Sequence, residues 1–135
     1  MQFKVAVKGI IRKGSKILIL KRSLRDDHQP GVWETVGGGM DKKTTPGDNL
    51  EREIKEETNL KVKIGEPFNV FTFKTDMGEF KFGITFLCDY IKGKIKLSSE
   101  HIDYQWINPQ EFNQFKSVPS LKKEIKRYAK KYAKD

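Results

Sequence analysis

Three glutamates, Glu53, Glu56 and Glu57, stand at i, i+3 and i+4 in the segment GGMDKKTTPGDNLEREIKEETNL, residues 38–60. On a helix that spacing projects all three from one face. Like charges placed this way repel and destabilise a bare helix. A cation offsets the repulsion, and a hard divalent ion such as Mg²⁺, which prefers oxygen ligands, is the natural candidate. Just upstream, the run Gly37-Gly38-Gly39 lets backbone approach a ligand closely. Oxygen ligands beside a glycine run point to a phosphate substrate. Arg52 precedes Glu56 by four residues and can hold the carboxylates together as an ion pair. The plain alternative is a solvated, charged helix face. The glycine run, a helix cap and Arg52 at fixed offsets favour a metal site.

A helix must carry these side chains, and its start is written in the sequence. Thr45 suits the N-cap, Pro46 the first helical position, and Asp48 completes a Thr-x-x-Asp capping pattern. At about 100° per residue, Leu50 and Ile54 form a buried stripe with Glu53 and Glu57 beside it, and Glu56 further round next to Arg52. The carboxylates thus fall at the edge of the core, where cleft-lining residues belong.

Elsewhere the chain alternates. Phe3, Val5 and Val7 predict a strand, Gly14 a turn, and Lys16 to Lys21 a second strand completing a hairpin. A polar loop follows from Arg22 to Val32, broken by Pro30 and Gly31. Trp33 to Val36 predicts a short strand leading into the glycines. Phe71 and Phe73, then Phe80, Phe82, Ile84 and Phe86, predict an antiparallel pair around a turn at Asp76-Met77-Gly78. Lys92-Gly93-Lys94 marks another turn. Ile102, Tyr104 and Trp106 predict a last strand stopped by Asn108-Pro109. A final helix from Pro119-Ser120 presents Leu121, Ile125, Tyr128 and Tyr132 on one side and many lysines on the other. Repeats and low-complexity linkers are absent. This pattern predicts one α/β domain over residues 1–135, with a mixed, partly antiparallel sheet covered on both faces.

Composition narrows the class. At 135 residues the chain is long enough for a real core, and it contains no apolar run of membrane-spanning length. The N-terminus reads as a strand and lacks a secretory apolar region. The single cysteine, Cys88, lies in an apolar strand pattern and is expected to be buried and inert. A cytoplasmic protein is expected. The net charge of +9 favours anionic partners: nucleotides, polyphosphates or nucleic acid. Lys far exceeds Arg, which weakens the case for specific phosphate recognition. A small-molecule nucleotide is therefore favoured over nucleic acid, no membrane partner is expected, and the oligomeric state is left open.

The segment resembles the Nudix box, the signature of the Nudix hydrolases. That pattern runs Gly, five residues, Glu, seven residues, Arg-Glu, an aliphatic residue, any residue, Glu-Glu, any residue, Gly and an aliphatic residue. Gly38, Arg52, Glu53, Ile54, Glu56, Glu57 and Leu60 fall in register over about a sixth of the chain. Asn59 replaces the late glycine, a mild change because Asn tolerates the left-handed conformation that ends helices. Thr44 replaces the first acidic residue, which implies a weakened or re-tuned site. Val36 replaces the proline common before the glycines.

The resemblance implies an α/β/α sandwich and metal-dependent hydrolysis of a pyrophosphate bond in a nucleoside diphosphate derivative. It implies Mg²⁺ or Mn²⁺ held by Glu53, Glu56 and Glu57, with a carbonyl of Gly37 or Gly38 and with Glu100, which in many members is a ligand or the base. Glu53 is the candidate base or its orienting group, although members differ in which residue does this, and Arg52 supports it. Gly38 and Gly39 would shape the phosphate pocket. Arg22 would meet substrate phosphates, as its fork suits their oxygens. Glu34, after Trp33, would contact the nucleoside. His101 is expected to be structural or solvent-exposed, and His28 to be an exposed loop residue. The near-minimal chain resembles the small MutT-like nucleoside triphosphate pyrophosphohydrolases. Between Thr72 and Phe80 it lacks the proline or tyrosine of many ADP-ribose and dinucleoside polyphosphate hydrolases. Ser120 stands near the position of the asparagine used for oxidised guanine. Hydrolysis of ADP-ribose or another diphosphate, and a weakened nucleotide- or RNA-binding module, are the alternatives.

Overall fold

A computed structural model describes residues 4–25, 29–40, 43–75 and 77–133. The expectations for Phe3, His28 and Asp76 lie outside the described residues. β1 (Lys4–Lys13) and β2 (Lys16–Arg22) form the expected hairpin. At its turn Gly14 has φ 60°, a conformation open to glycine at no steric cost. Only the hairpin end is paired, Arg12 with Ile17 and Lys13 with Lys16. Beyond it the strands separate, and β3 (Trp33–Glu34) and β4 (Val36–Gly39) fill the opening. β3 pairs with β2, whereas β4 pairs antiparallel with β1, Gly37 opposite Lys8 and Gly38 opposite Val7. The strand expected to end at Val36 therefore takes in the glycine run as well. Glycines without side chains can lie against β1, and ladder hydrogen bonds satisfy their backbone.

β5 (Lys61–Lys74) and β6 (Phe80–Lys92) form a long antiparallel pair, and β6 runs parallel to β1 from Lys4↔Lys81 to Arg12↔Asp89. The sequence reading found only the far end of β5. Gly65 and Pro67 interrupt its strand pattern, but β5 is an edge strand, where register shifts between Ile64, Pro67 and Asn69 absorb them. β7 (His101–Ile107) lies on the free side of β2. The result is one seven-stranded mixed sheet, ordered β3-β2-β1-β6-β5, with β4 on β1 and β7 on β2.

α1 (Pro46–Thr58) and α2 (Pro119–Tyr132) cover opposite faces, and a short 3₁₀ helix (Pro109–Gln114) follows β7. The 3₁₀ helix escaped the sequence reading, which took Asn108-Pro109 only as a stop. The Glu111 side chain accepts the Asn108 N–H at 3.0 Å and turns that stop into a helix start. Alternation along the strands builds two cores. Val7, Ile11, Leu18 and Leu20 pack with Leu50 and Ile54 of α1. Ile10, Ile17, Ile19 and Leu87 pack with Ile125 and Tyr128 of α2. Cys88 is fully buried in the first core, and burial pushes its thiol up to about 12. Among the described residues, no helix is long and apolar enough to cross a membrane.

Candidate active site

α1 starts and stops as its sequence demands. Thr45 Oγ1 accepts the Asp48 N–H at 3.1 Å, and Asn59 closes the helix at φ 67°. Leu50 and Ile54 are buried, which fixes the helix's rotation and sends its three glutamates to different surroundings. Glu56 turns to solvent, where Arg52 holds both its oxygens at 3.1 Å. The same guanidinium reaches Asn49 Oδ1 at 3.1 Å and Glu53 Oε1 at 3.4 Å. Arg52 thus ties three α1 side chains into one arrangement. Glu53 lies against β4, and a Cβ on Gly38 would stand 3.3 Å from its Oε2. Any larger residue at Gly38 crowds that carboxylate. Gly37 has φ 145°, and a Cβ there would sit 2.8 Å from the Lys8 Cα, so this position admits only glycine without strain.

Glu57 turns inward and is 4% exposed. Its Oε2 is buried with no hydrogen-bond partner, and its Oε1 lies 3.7 Å from His101 Nδ1. Burial pushes the carboxyl up to about 9; Lys8 opposes the rise, while the Glu53 and Glu100 carboxylates add to it. The long connection after β6 brings the distant partners. It crosses the end of α1, with Lys96 N–H on Thr58 O and Ser98 N–H on Glu57 O, and so delivers Glu100 and His101 beside Glu57. One ligand atom from each of Glu57, Glu100 and His101 falls within 4.8 Å of the others. A carboxylate held out of water without a partner, among further carboxylates, is a site that a hard divalent cation satisfies. The residues present fit such an ion.

His101, expected to be structural or exposed, is 5% exposed and joins two acids. Its Nε2 lies 2.9 Å from Glu34 Oε2. An ionised carboxylate can only accept, so Nε2 donates to Glu34, and the unpartnered Nδ1 faces Glu57. His101 opens β7, and its pairing with Arg22, a relation no local pattern carries, fixes which way its ring turns. Glu34 also takes Arg22 Nη1 at 3.2 Å and Lys8 Nζ at 3.5 Å. Burial alone would raise the Glu34 carboxyl, but Lys8, the His101 hydrogen bond and Arg22 together hold it at about 2.

Lys8, Arg22, Trp33 and Glu34 also line a cavity of about 320 Å³ on the α2 side of the sheet, closed by Phe71, Phe73 and Ser120. The sequence-predicted residues therefore divide. Glu53, Glu57 and Glu100 converge beside Gly37 and Gly38; Arg22 and Glu34 open that cluster onto the cavity. Glu56 faces away on Arg52. Gly39 ends β4 with nothing within 4 Å of where its Cβ would be. Thr44 is exposed just ahead of the helix cap. Lys8 was not anticipated, because in sequence it is one lysine among many; only its position opposite Gly37 and Thr85 singles it out.

The NUDIX domain pattern matches residues 2–128. An ADP-ribose pyrophosphatase of Methanocaldococcus jannaschii is 30% identical over 129 residues, 95% of this chain and 72% of that one. The nucleoside triphosphatase NudI of Escherichia coli is 26% identical over 124 residues, 82% of this chain and 86% of that one. The crystal structure of a MutT protein from Methanosarcina mazei superposes with a TM-score of 0.84 at 24% identity, covering 98% of this chain and 96% of that one.

Proposed function

The chain belongs to the NUDIX family of pyrophosphohydrolases, and from that premise we propose that it hydrolyses nucleoside triphosphates to the monophosphate and pyrophosphate with Mg²⁺ or Mn²⁺. The observation that carries this reading is the buried Glu57 carboxyl, whose Oε2 has no hydrogen-bond partner and which is linked through His101 and Glu34 to a nucleoside-sized cavity. In this reading the nucleoside enters the cavity, and its phosphates pass Lys8 and Arg22 toward α1. Glu57, Glu53 and Glu100, with a carbonyl of Gly37 or Gly38, hold the cation. When bound, the ion neutralises phosphate charge and lowers the pKa of the attacking water.

Water attacks one phosphorus of the α–β bridge, the bridging P–O bond breaks, and the product on the other side of the bridge, pyrophosphate or the nucleoside monophosphate, departs with that electron pair. Glu53 accepts the proton of the water, positioned by Arg52, which Asn49 and Glu56 brace from either side. We place the activity in the cytoplasm, where nucleotides and Mg²⁺ abound. Cleavage of ADP-ribose to AMP and ribose phosphate is the second reading, favoured by the Methanocaldococcus relative.

A panel of nucleoside triphosphates and ADP-ribose, assayed with Mg²⁺ and Mn²⁺ and with product identification, separates the two. Glu53→Gln and Glu57→Gln should each lower kcat by roughly 100-fold or more, as expected for loss of a base or ligand. Folded variants within about threefold of wild type would remove the metal-site assignment.

A further inference from the structure

Glu124 lies on α2, outside the box, and the proposed reaction makes no use of it. It is 8% exposed, and it lines the same cavity as Lys8 and Glu34. Its Oε1 accepts two hydrogen bonds, from Asn69 Nδ2 and Thr85 Oγ1, each at 2.8 Å. Those donors are not incidental neighbours. Asn69 faces Thr85 across β5 and β6, and Thr85 faces Lys8 across β6 and β1. One row across the sheet therefore runs from the carboxylate's donors to the lysine that contacts Glu34. Both donors are committed to Oε1, and Oε2 has no hydrogen-bond partner among the described residues.

The surroundings suit a flat ring. The Phe71 ring lies over Gly83, where a Cβ would come within 2.9 Å of its Cε1, so glycine lets the ring settle against the sheet instead of filling the cavity. An aromatic face and a buried acceptor in the cavity wall together form a slot for a nucleobase edge. A carboxylate offers acceptors and therefore selects a donor.

We propose that Glu124, held by Asn69 and Thr85, determines base specificity: its Oε2 accepts a hydrogen bond from an exocyclic amino group, so the cavity selects cytosine and adenine over uracil and hypoxanthine. This rests on the reading that the nucleoside occupies the cavity. A buried polar group that meets its partner in one base and loses it in another discriminates strongly.

The test is calorimetric binding of CMP against UMP, and AMP against IMP, to the full chain. Wild type should bind the amino-bearing member of each pair at least about tenfold more tightly. Glu124→Gln keeps an oxygen for Asn69 and Thr85 and presents an amide donor in place of Oε2, so the preference should reverse toward UMP and IMP. Equal binding within the wild-type pairs overturns the inference without recourse to any variant, as does a folded Glu124→Gln protein that weakens all four ligands alike. If triphosphates are hydrolysed but none of the four monophosphates discriminates, the specificity assignment fails and the hydrolase reading survives. If the monophosphates discriminate but no nucleotide is hydrolysed, the reverse holds.

Discussion

Glu34 shows how two cations and a histidine hydrogen bond set a single residue's charge. Burial disfavours its ionised form, yet Lys8, His101 and Arg22 outweigh burial and hold the carboxyl at about 2, against an ordinary value of 4.5. A carboxyl with a depressed native pKa stabilises the fold above its unfolded value and loses that contribution as pH falls through the native one. The window is therefore pH 4.5 down to about 2. The shift corresponds to about 3 kcal/mol, and little is lost to solvent screening because the side chain is only 15% exposed. Urea unfolding in that window should show wild type losing stability faster than Glu34→Gln, the two curves converging at the acid end. Parallel curves would mean that the ion pairs around Glu34 do not stabilise the fold. The same residue separates two jobs, because it orients His101 toward Glu57 on one side and lines the cavity on the other.

At the scale of elements, α1 is the piece that must not move. Its rotation decides that Glu57 is buried while Glu56 is exposed, although the two are adjacent in sequence. Both ends are pinned locally. Thr45→Ala removes the acceptor for the Asp48 N–H and should cost about 1 kcal/mol. Asn59→Ala forces a Cβ-bearing residue without a compensating amide into φ 67° and should cost about 1–2 kcal/mol, whereas Asn59→Gly should be neutral or stabilising. Thermal denaturation of the three variants measures this; equal stability for Asn59→Ala and Asn59→Gly would show that the left-handed stop is unimportant. Opposite α1, β4 supplies the matching constraint, since Gly37 and Gly38 leave room for Lys8 and Glu53.

Over the whole molecule, a charge of +9 is concentrated partly on α2, whose exposed face carries Lys123, Lys126, Arg127, Lys130 and Lys131. Its buried face packs Ile125 and Tyr128 into the second core, so the lysines read as a solvated face and not as part of the cavity. Changing Lys123, Lys126 and Lys130 together to Gln should leave nucleotide turnover within about twofold at moderate salt, because none of the three lines the cavity and exposed charges are screened beyond about 10 Å. A large, salt-sensitive fall in turnover would instead make this helix part of the substrate path.

What the sequence determined by itself was local. The capping residues of α1, the apolar stripe Leu50–Ile54, the Arg52–Glu56 pair, the turn glycines and the alternating strands are each set by neighbours within a few positions, and periodicity reads them directly. The box residues were legible for the same reason: their spacing is helical. The tertiary structure decided which of those residues meet partners from far along the chain. His101 reaches Glu57 and Glu34 only because the connection after β6 crosses the end of α1 and β7 then pairs with β2. Lys8, Thr85, Asn69 and Glu124 come from four separate elements and share one cavity through strand register, a relation with no periodicity along the chain. Burial is likewise collective: Glu56 and Glu57 are chemically identical in sequence, and only the packing of α1 against the sheet makes one a solvated ion-pair partner and the other a buried carboxyl.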